Sequence, residues 1–127
     1  MSAKILVVDD ERDVEPLFRQ NLRREIKSGL FELDFAFSGV EALEYLEGDK
    51  PPSILVVLSD VNMPGMSGVE LLSKIKPDRP DLEVIMITAY GDVATRKAAE
   101  DGGARDFYTK PVDFSALRQQ LKTLIAA

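Results

Sequence analysis

The sequence predicts a single doubly wound α/β domain on a parallel sheet, and three observations carry that prediction. Strongly apolar runs recur at Ile5-Leu6-Val7-Val8, Ile54-Leu55-Val56-Val57-Leu58 and Val84-Ile85-Met86-Ile87. Runs this continuous suit strands buried on both faces. Segments with helical spacing separate them, so strand and helix alternate five times, which implies parallel strands, right-handed crossovers and helices on both faces. The 127 residues match one core, so residues 1–127 are expected to form one domain.

The elements follow in order. Lys4 to Val8 is a buried strand that stops at Asp9-Asp10-Glu11. Asp13 is placed to cap a first helix, with Pro16 tolerable in its first turn. Val14, Leu17, Phe18, Leu22 and Ile26 recur at helical spacing and carry that helix to about Lys27, where Ser28-Gly29 breaks it. Phe31 to Phe37 reads as the second strand, with Leu33, Phe35 and Phe37 on the face of Phe31. Ser38 with Glu41 forms a capping-box pattern before a second helix, Gly39 to Glu47, and Gly48 to Pro52 is a loop.

The third strand is the run from Ile54, with Asp60 at or just past its carboxyl end. Ser67 and Glu70 open a third helix over Gly68 to Lys76, followed by the loop Pro77 to Asp81. Glu83 to Thr88 is the fourth strand, Asp92 to Asp101 the fourth helix, ended by Gly102-Gly103, and Asp106 to Thr109 a short fifth strand. Asp113 caps a fifth helix with Phe114, Leu117, Leu121, Leu124 and Ile125 as its apolar stripe.

In a parallel sheet the carboxyl ends of all strands share one edge. Here those ends carry Asp9 and Asp10, Asp60, Thr88 and Lys110. With the flavodoxin-like strand order 2-1-3-4-5, strands one and three flank the switch point where ligands bind in such sheets. Each of these residues alone has an ordinary explanation as a cap, a turn or a β-former. Their coincidence at four strand ends is the informative observation.

Composition narrows the chemistry. The chain has no Cys and no His, which excludes disulfides, thiol catalysis, zinc-cysteine sites and the commonest general base. A net charge of -6 argues against this domain gripping nucleic acid through phosphate contacts. No apolar run approaches a membrane span and no signal-peptide pattern opens the chain, so a cytoplasmic location without membrane contact is expected. Clustered carboxylates repel, and a divalent cation removes the conflict. Oxygen-only donors favour Mg²⁺, with Mn²⁺ as the substitute. A carboxylate so neutralised can act as a nucleophile toward phosphorus. This assigns Asp60 as nucleophile, Asp9 and Asp10 to the metal, Lys110 as counter-charge and Thr88 as hydroxyl donor.

The pieces Ile5-Leu6-Val7-Val8-Asp9-Asp10-Glu11, Asp60-Val61-Asn62-Met63-Pro64-Gly65-Met66-Ser67-Gly68, Ile87-Thr88-Ala89 and Lys110-Pro111 together resemble the receiver domain of bacterial two-component response regulators, including the chemotaxis receivers. The resemblance spans nearly the whole chain. It implies phosphoryl transfer from the phosphohistidine of a sensor histidine kinase, or of a phosphotransfer protein, onto Asp60. It implies Mg²⁺ held by Asp9, Asp10, Asp60 and the backbone carbonyl of Asn62, and a cis Lys110-Pro111 bond. It implies a switch in which Thr88 moves toward the phosphoryl group and the aromatic Phe107 turns inward, altering the surface of the fourth helix, fifth strand and fifth helix. Asn62 and Tyr90, each two residues past a site residue, are expected to tune the lifetime of the phosphoryl group. Glu11 is a weaker candidate for orienting the lysine.

On this reading the protein is a signalling domain that catalyses only its own phosphorylation and dephosphorylation. A homodimer through the fourth helix, fifth strand and fifth helix, with Asp106 paired to Arg118, is a further expectation. Arg23 to Phe31 is a few residues longer than the family pattern. A small-molecule phosphatase with a carboxylate nucleophile is the competing class, but Asp60-Val61-Asn62 lacks the second acid such enzymes carry. A plain binding module with a vestigial site is the third. No effector sequence follows Ala127, so the domain either acts through a partner or was part of a longer regulator.

Overall fold

In the computed structural model, which describes residues 3–47, 54–89 and 91–126, the chain runs through β1 (Ala3–Val8), α1 (Val14–Asn21), α2 (Arg23–Lys27), β2 (Phe31–Ala36), α3 (Gly39–Glu47), β3 (Val56–Asp60), α4 (Gly68–Ile75), β4 (Glu83–Thr88), α5 (Val93–Asp101), β5 (Asp106–Thr109) and α6 (Phe114–Ala126). The five strands are parallel and lie in the order β2-β1-β3-β4-β5, the order expected from the alternation of elements. The predicted loop Gly48 to Pro52 lies outside the described residues.

The continuous apolar runs are explained by two cores, one on each face of the sheet. Successive side chains of a strand point to opposite faces. In β1, Leu6 and Val8 join Val57, Val84 and Met86 in the core covered by Leu46 of α3, Leu71 and Leu72 of α4 and Ala99 of α5. Ile5 and Val7 join Val56, Leu58, Ile85 and Ile87 in the core covered by Phe18 of α1 and by Leu117 and Leu121 of α6. Phe18 and Phe114 meet edge to face at 5.1 Å and lock α1 onto α6. Each fully buried aliphatic side chain contributes about 1.5–3 kcal/mol, so no central-strand position is free to be polar without a partner.

Register aligns the carboxyl ends. Val8 pairs with Ser59, Asp60 with Ile87 and Thr88 with Thr109. The third strand extends through Asp60 rather than stopping at Leu58, because Ser59 and Asp60 keep their partners on the neighbouring strands. Ile54 and Leu55 precede it, although the Leu55 N–H still donates to the Lys4 carbonyl at 2.9 Å.

The helical segment after β1 departs from expectation. Leu22, at φ -110 and ψ 17, leaves helical geometry and divides the predicted first helix into α1 and α2, while the Ile26 N–H still donates to the Leu22 carbonyl. Asp13 makes no side-chain cap; it is already in the αR region at φ -65, so its carboxylate is not aimed at the first free N–H groups. Leu17, expected in the apolar stripe, is 49% exposed, and Glu25 is buried in its place. Phe37 lies beyond β2 and, like Phe35, is only half-buried; Arg12 covers the Phe37 ring at 4.3 Å and Arg19 the Phe35 ring at 5.0 Å. The other predicted caps form: Ser38, Ser67 and Asp113 each accept from the N–H three residues on, and Asp92, expected inside the fourth helix, caps it in the same way.

Candidate functional site

At the carboxyl edge of the sheet, Asp9 follows β1 and its N–H donates to the Ala36 carbonyl of β2 at 3.1 Å. Asp60 is the last residue of β3. Asp9 and Asp60 are 4% and 6% exposed, whereas Asp10 is exposed. One carboxylate oxygen from each of these three residues lies within 4.8 Å of the other two. Lys110 leaves β5 with its N–H bonded to the Thr88 carbonyl at 2.7 Å, and its peptide to Pro111 is cis. Its ammonium donates to Asp9 Oδ2 at 2.9 Å and lies 3.6 Å from Asp60 Oδ2. The second oxygen of Asp9 accepts the Glu11 N–H at 2.9 Å, so Glu11 contributes its backbone to the pocket.

The electrostatics are those of two buried acids sharing one cation. Burial, reinforced by the charge of Asp9, pushes the Asp60 carboxyl up to about 6, against the pull of Lys110 and of the Asn62 and Val61 N–H groups. Burial works against the Lys110 charge, but the bond to Asp9 and the charges of Asp60, Asp9 and Glu11 outweigh it and raise its pKa above the ordinary lysine value. A divalent cation among the three carboxylates would supply the missing positive charge, and an all-oxygen donor set suits Mg²⁺.

Thr88 is fully buried at the end of β4, and its hydroxyl oxygen accepts from Asn62 Nδ2 at 3.3 Å. The turn carrying Asn62 is fastened at both ends: the Val61 N–H donates to Ile87 and the Gly68 N–H to the Val61 carbonyl at 2.8 Å. Gly68 has a role that its place at a helix start did not suggest. A Cβ there would stand 2.2 Å from the Asp60 carbonyl oxygen and 2.9 Å from Val61 Cα, so only glycine lets α4 start this close to the end of β3. The signal in the sequence was a glycine directly after the capping Ser67. Beside the acids a largely apolar cleft of about 380 Å³ opens, walled by Val14, Leu17 and Phe18 and by Pro111, Val112 and Phe114.

The profile of the response regulator receiver domain matches residues 5–122 of this chain. The chain belongs to the response regulator receiver family. It is 35% identical over 125 residues to the response regulator MprA of Mycobacterium ulcerans, covering 98% of this chain and 51% of that protein. The receiver thus spans about half the length of the curated relatives it matches. Among solved structures it resembles a CheY-like receiver domain protein from Methanospirillum hungatei, with a TM-score of 0.86, 28% identity and coverage of 99% and 96% of the two chains. It also resembles the response regulator TrrA of Thermotoga maritima, solved in complex with Mg²⁺ and BeF, with a TM-score of 0.79, 30% identity and coverage of 96% and 98%.

Within this receiver the remaining predicted residues fall as follows. Phe107 already lies inward, 9% exposed, in the core with Met86 and Ala99, and the Arg96 guanidinium sits 5.6 Å from its ring centre. Tyr90 lies outside the described residues. Within the chain Arg118 pairs with Glu25 and not with Asp106. Its Nε donates to Glu25 Oε1 at 3.0 Å and one terminal nitrogen to the Asn21 carbonyl at 2.7 Å, while Asp106 Oδ1 accepts the Phe107 N–H. Arg118 is drawn there because Glu25 is buried and needs a cation. Among the described residues no helix is long and apolar enough to cross a membrane.

Proposed function

We propose that residues 1–127 form one receiver domain that takes a phosphoryl group from a phosphohistidine, on a sensor kinase or a phosphotransfer protein, onto Asp60. One observation carries this reading above all: Asp9, Asp10 and Asp60 converge within 4.8 Å of one another with the Lys110 ammonium 3.6 Å from Asp60. A carboxylate oxygen of Asp60 attacks phosphorus, the P–N bond to the donor imidazole breaks, and the imidazole departs with a proton. Asp9, Asp10, Asp60 and the backbone carbonyl of Asn62 would hold Mg²⁺, or Mn²⁺, whose charge would let the acids ionise together and offset that of the phosphoryl oxygens. Lys110 adds a second positive charge, and Thr88 donates its hydroxyl to the aspartyl phosphate, exchanging its contact with Asn62.

The histidine-bearing partner approaches over the cleft beside the acids, where exposed Leu17 and the apolar walls around Pro111 and Phe114 offer it area to bury. The new charge is read through Thr88 and Phe107 on the surface of α5, β5 and α6, which also serves as a homodimer face. Lacking a hydroxyl, Phe107 signals through packing alone. Asn62 and Tyr90, each two residues past a site residue, set how fast water removes the phosphoryl group, the only hydrolysis this domain catalyses.

The test is direct. Incubation with Mg²⁺ and acetyl phosphate, followed by intact-mass measurement, should give one phosphoryl adduct in the wild type and none in Asp60→Asn or with EDTA. Steady turnover of phosphate monoesters without an adduct would move the assignment to a phosphatase.

A further inference from the structure

A second pocket, of about 310 Å³, lies between the α1–α2 junction and α6. Its chemistry is opposite to that of the acid site. Arg23, Arg24, Arg118 and Lys122 line it against a single carboxylate, Glu25, in a chain whose net charge is -6. Several surface cations elsewhere pair with carboxylates: Arg19 with Glu15, Arg96 with Glu100, Lys97 with Asp101, Arg105 with Glu83. Here, among the described residues, only Arg118 has one, and Arg23, Arg24 and Lys122 have no carboxylate within 4 Å. Glu25 and the Asn21 carbonyl hold Arg118 through two of its N–H groups. A guanidinium carries five, so donors remain on a side chain whose position is fixed.

We propose that this pocket binds a compact soluble polyanion bearing phosphate groups, bridging α2 and α6 independently of Asp60. The lining decides the ligand class. Gln20 and Asn21 complete it, and no apolar residue contributes. Protein interfaces bury an apolar or aromatic core, and this lining offers no apolar or aromatic side chain for one. Guanidinium groups match phosphate oxygens with paired N–H donors. A bound polyanion would relieve the mutual repulsion of four crowded cations, which water and salt otherwise only screen.

Inorganic pyrophosphate is the probe, titrated in 0.1 M NaCl with EDTA while the arginine side-chain N–H signals are followed by NMR. Saturable one-to-one binding is expected, moving Arg23, Arg24 and Arg118 together, weakening at higher salt and persisting unchanged in Asp60→Asn. Replacing Arg24 and Lys122 together by Ala, both exposed and free of structural contacts, should weaken it at least tenfold while acetyl phosphate still labels Asp60 at the wild-type rate. Shifts that rise without saturating, or an affinity unchanged in the double variant, would overturn the site. So would binding to vesicles of phosphatidylglycerol without binding to pyrophosphate, since the anion would then be a lipid surface.

Discussion

Asp60→Asn should stabilise the metal-free protein. The Asp60 carboxyl is pushed from 3.8 up to about 6 by burial and by Asp9. Its folded-state pKa therefore lies above its unfolded value, and the folded state holds the proton more tightly. The stability this contributes is fully present below about pH 4 and is lost as pH rises through about 6. At about 1.4 kcal/mol per pKa unit, two units make an ionised Asp60 cost about 3 kcal/mol at neutral pH. Asn keeps the shape and removes the charge, so the variant should gain about 2–3 kcal/mol at pH 7.5 in EDTA. Urea unfolding followed by circular dichroism would register this as a midpoint raised by about 1–2 M. The gain should vanish well below pH 4, where the wild-type Asp60 is protonated in both states. Mg²⁺ at ten times its dissociation constant should return about 1.4 kcal/mol to the wild type alone. A variant less stable than the wild type at pH 7.5 in EDTA, or a gain independent of pH, would refute the reasoning that burial of clustered acids poises this site for a cation.

Gly68→Ala should destabilise by about 1–3 kcal/mol or more and slow labelling of Asp60, because the new methyl meets immovable backbone. Gly39→Ala, whose methyl meets Met66 Sδ at 2.8 Å and Cβ at 2.9 Å but no backbone atom among its nearest neighbours, should cost less than Gly68→Ala; equal losses in the two would remove the distinction. Leu17→Asp, at a half-exposed position, should leave stability within about 0.5 kcal/mol. It should cut transfer from a phosphorylated kinase at least tenfold while sparing labelling by acetyl phosphate, and a parallel loss with both donors would count against the cleft as the docking face. Tyr90→Ala should shorten the life of the aspartyl phosphate, measured as loss of label after the donor is removed; an unchanged or slower rate would sink a shielding role.

What could be read from the sequence divides along a physical line. The strands were visible because a position buried on both faces tolerates only apolar side chains, and parallel topology then carries every strand end to one edge. Asp9, Asp60, Thr88 and Lys110 could be gathered into one site without knowing any distance. The segment from Asp13 to Lys27 was misread because its burial depends on pairings the local pattern does not contain. Leu17 sits at helical spacing with Phe18 and Leu22, yet it faces the open cleft, while Glu25 is buried one position short of Ile26. An acid is permitted there only because Arg118, 93 residues away, crosses from α6 to neutralise it. Hydrophobic periodicity assumes that a charge marks a wet face, and the buried Glu25 breaks that assumption. The same pair holds Arg118 against Glu25 in the wall of a cationic pocket. The acid site could be read because its residues act at strand ends fixed by topology. The cationic pocket could not, because it depends on how two helices from opposite ends of the chain happen to cross.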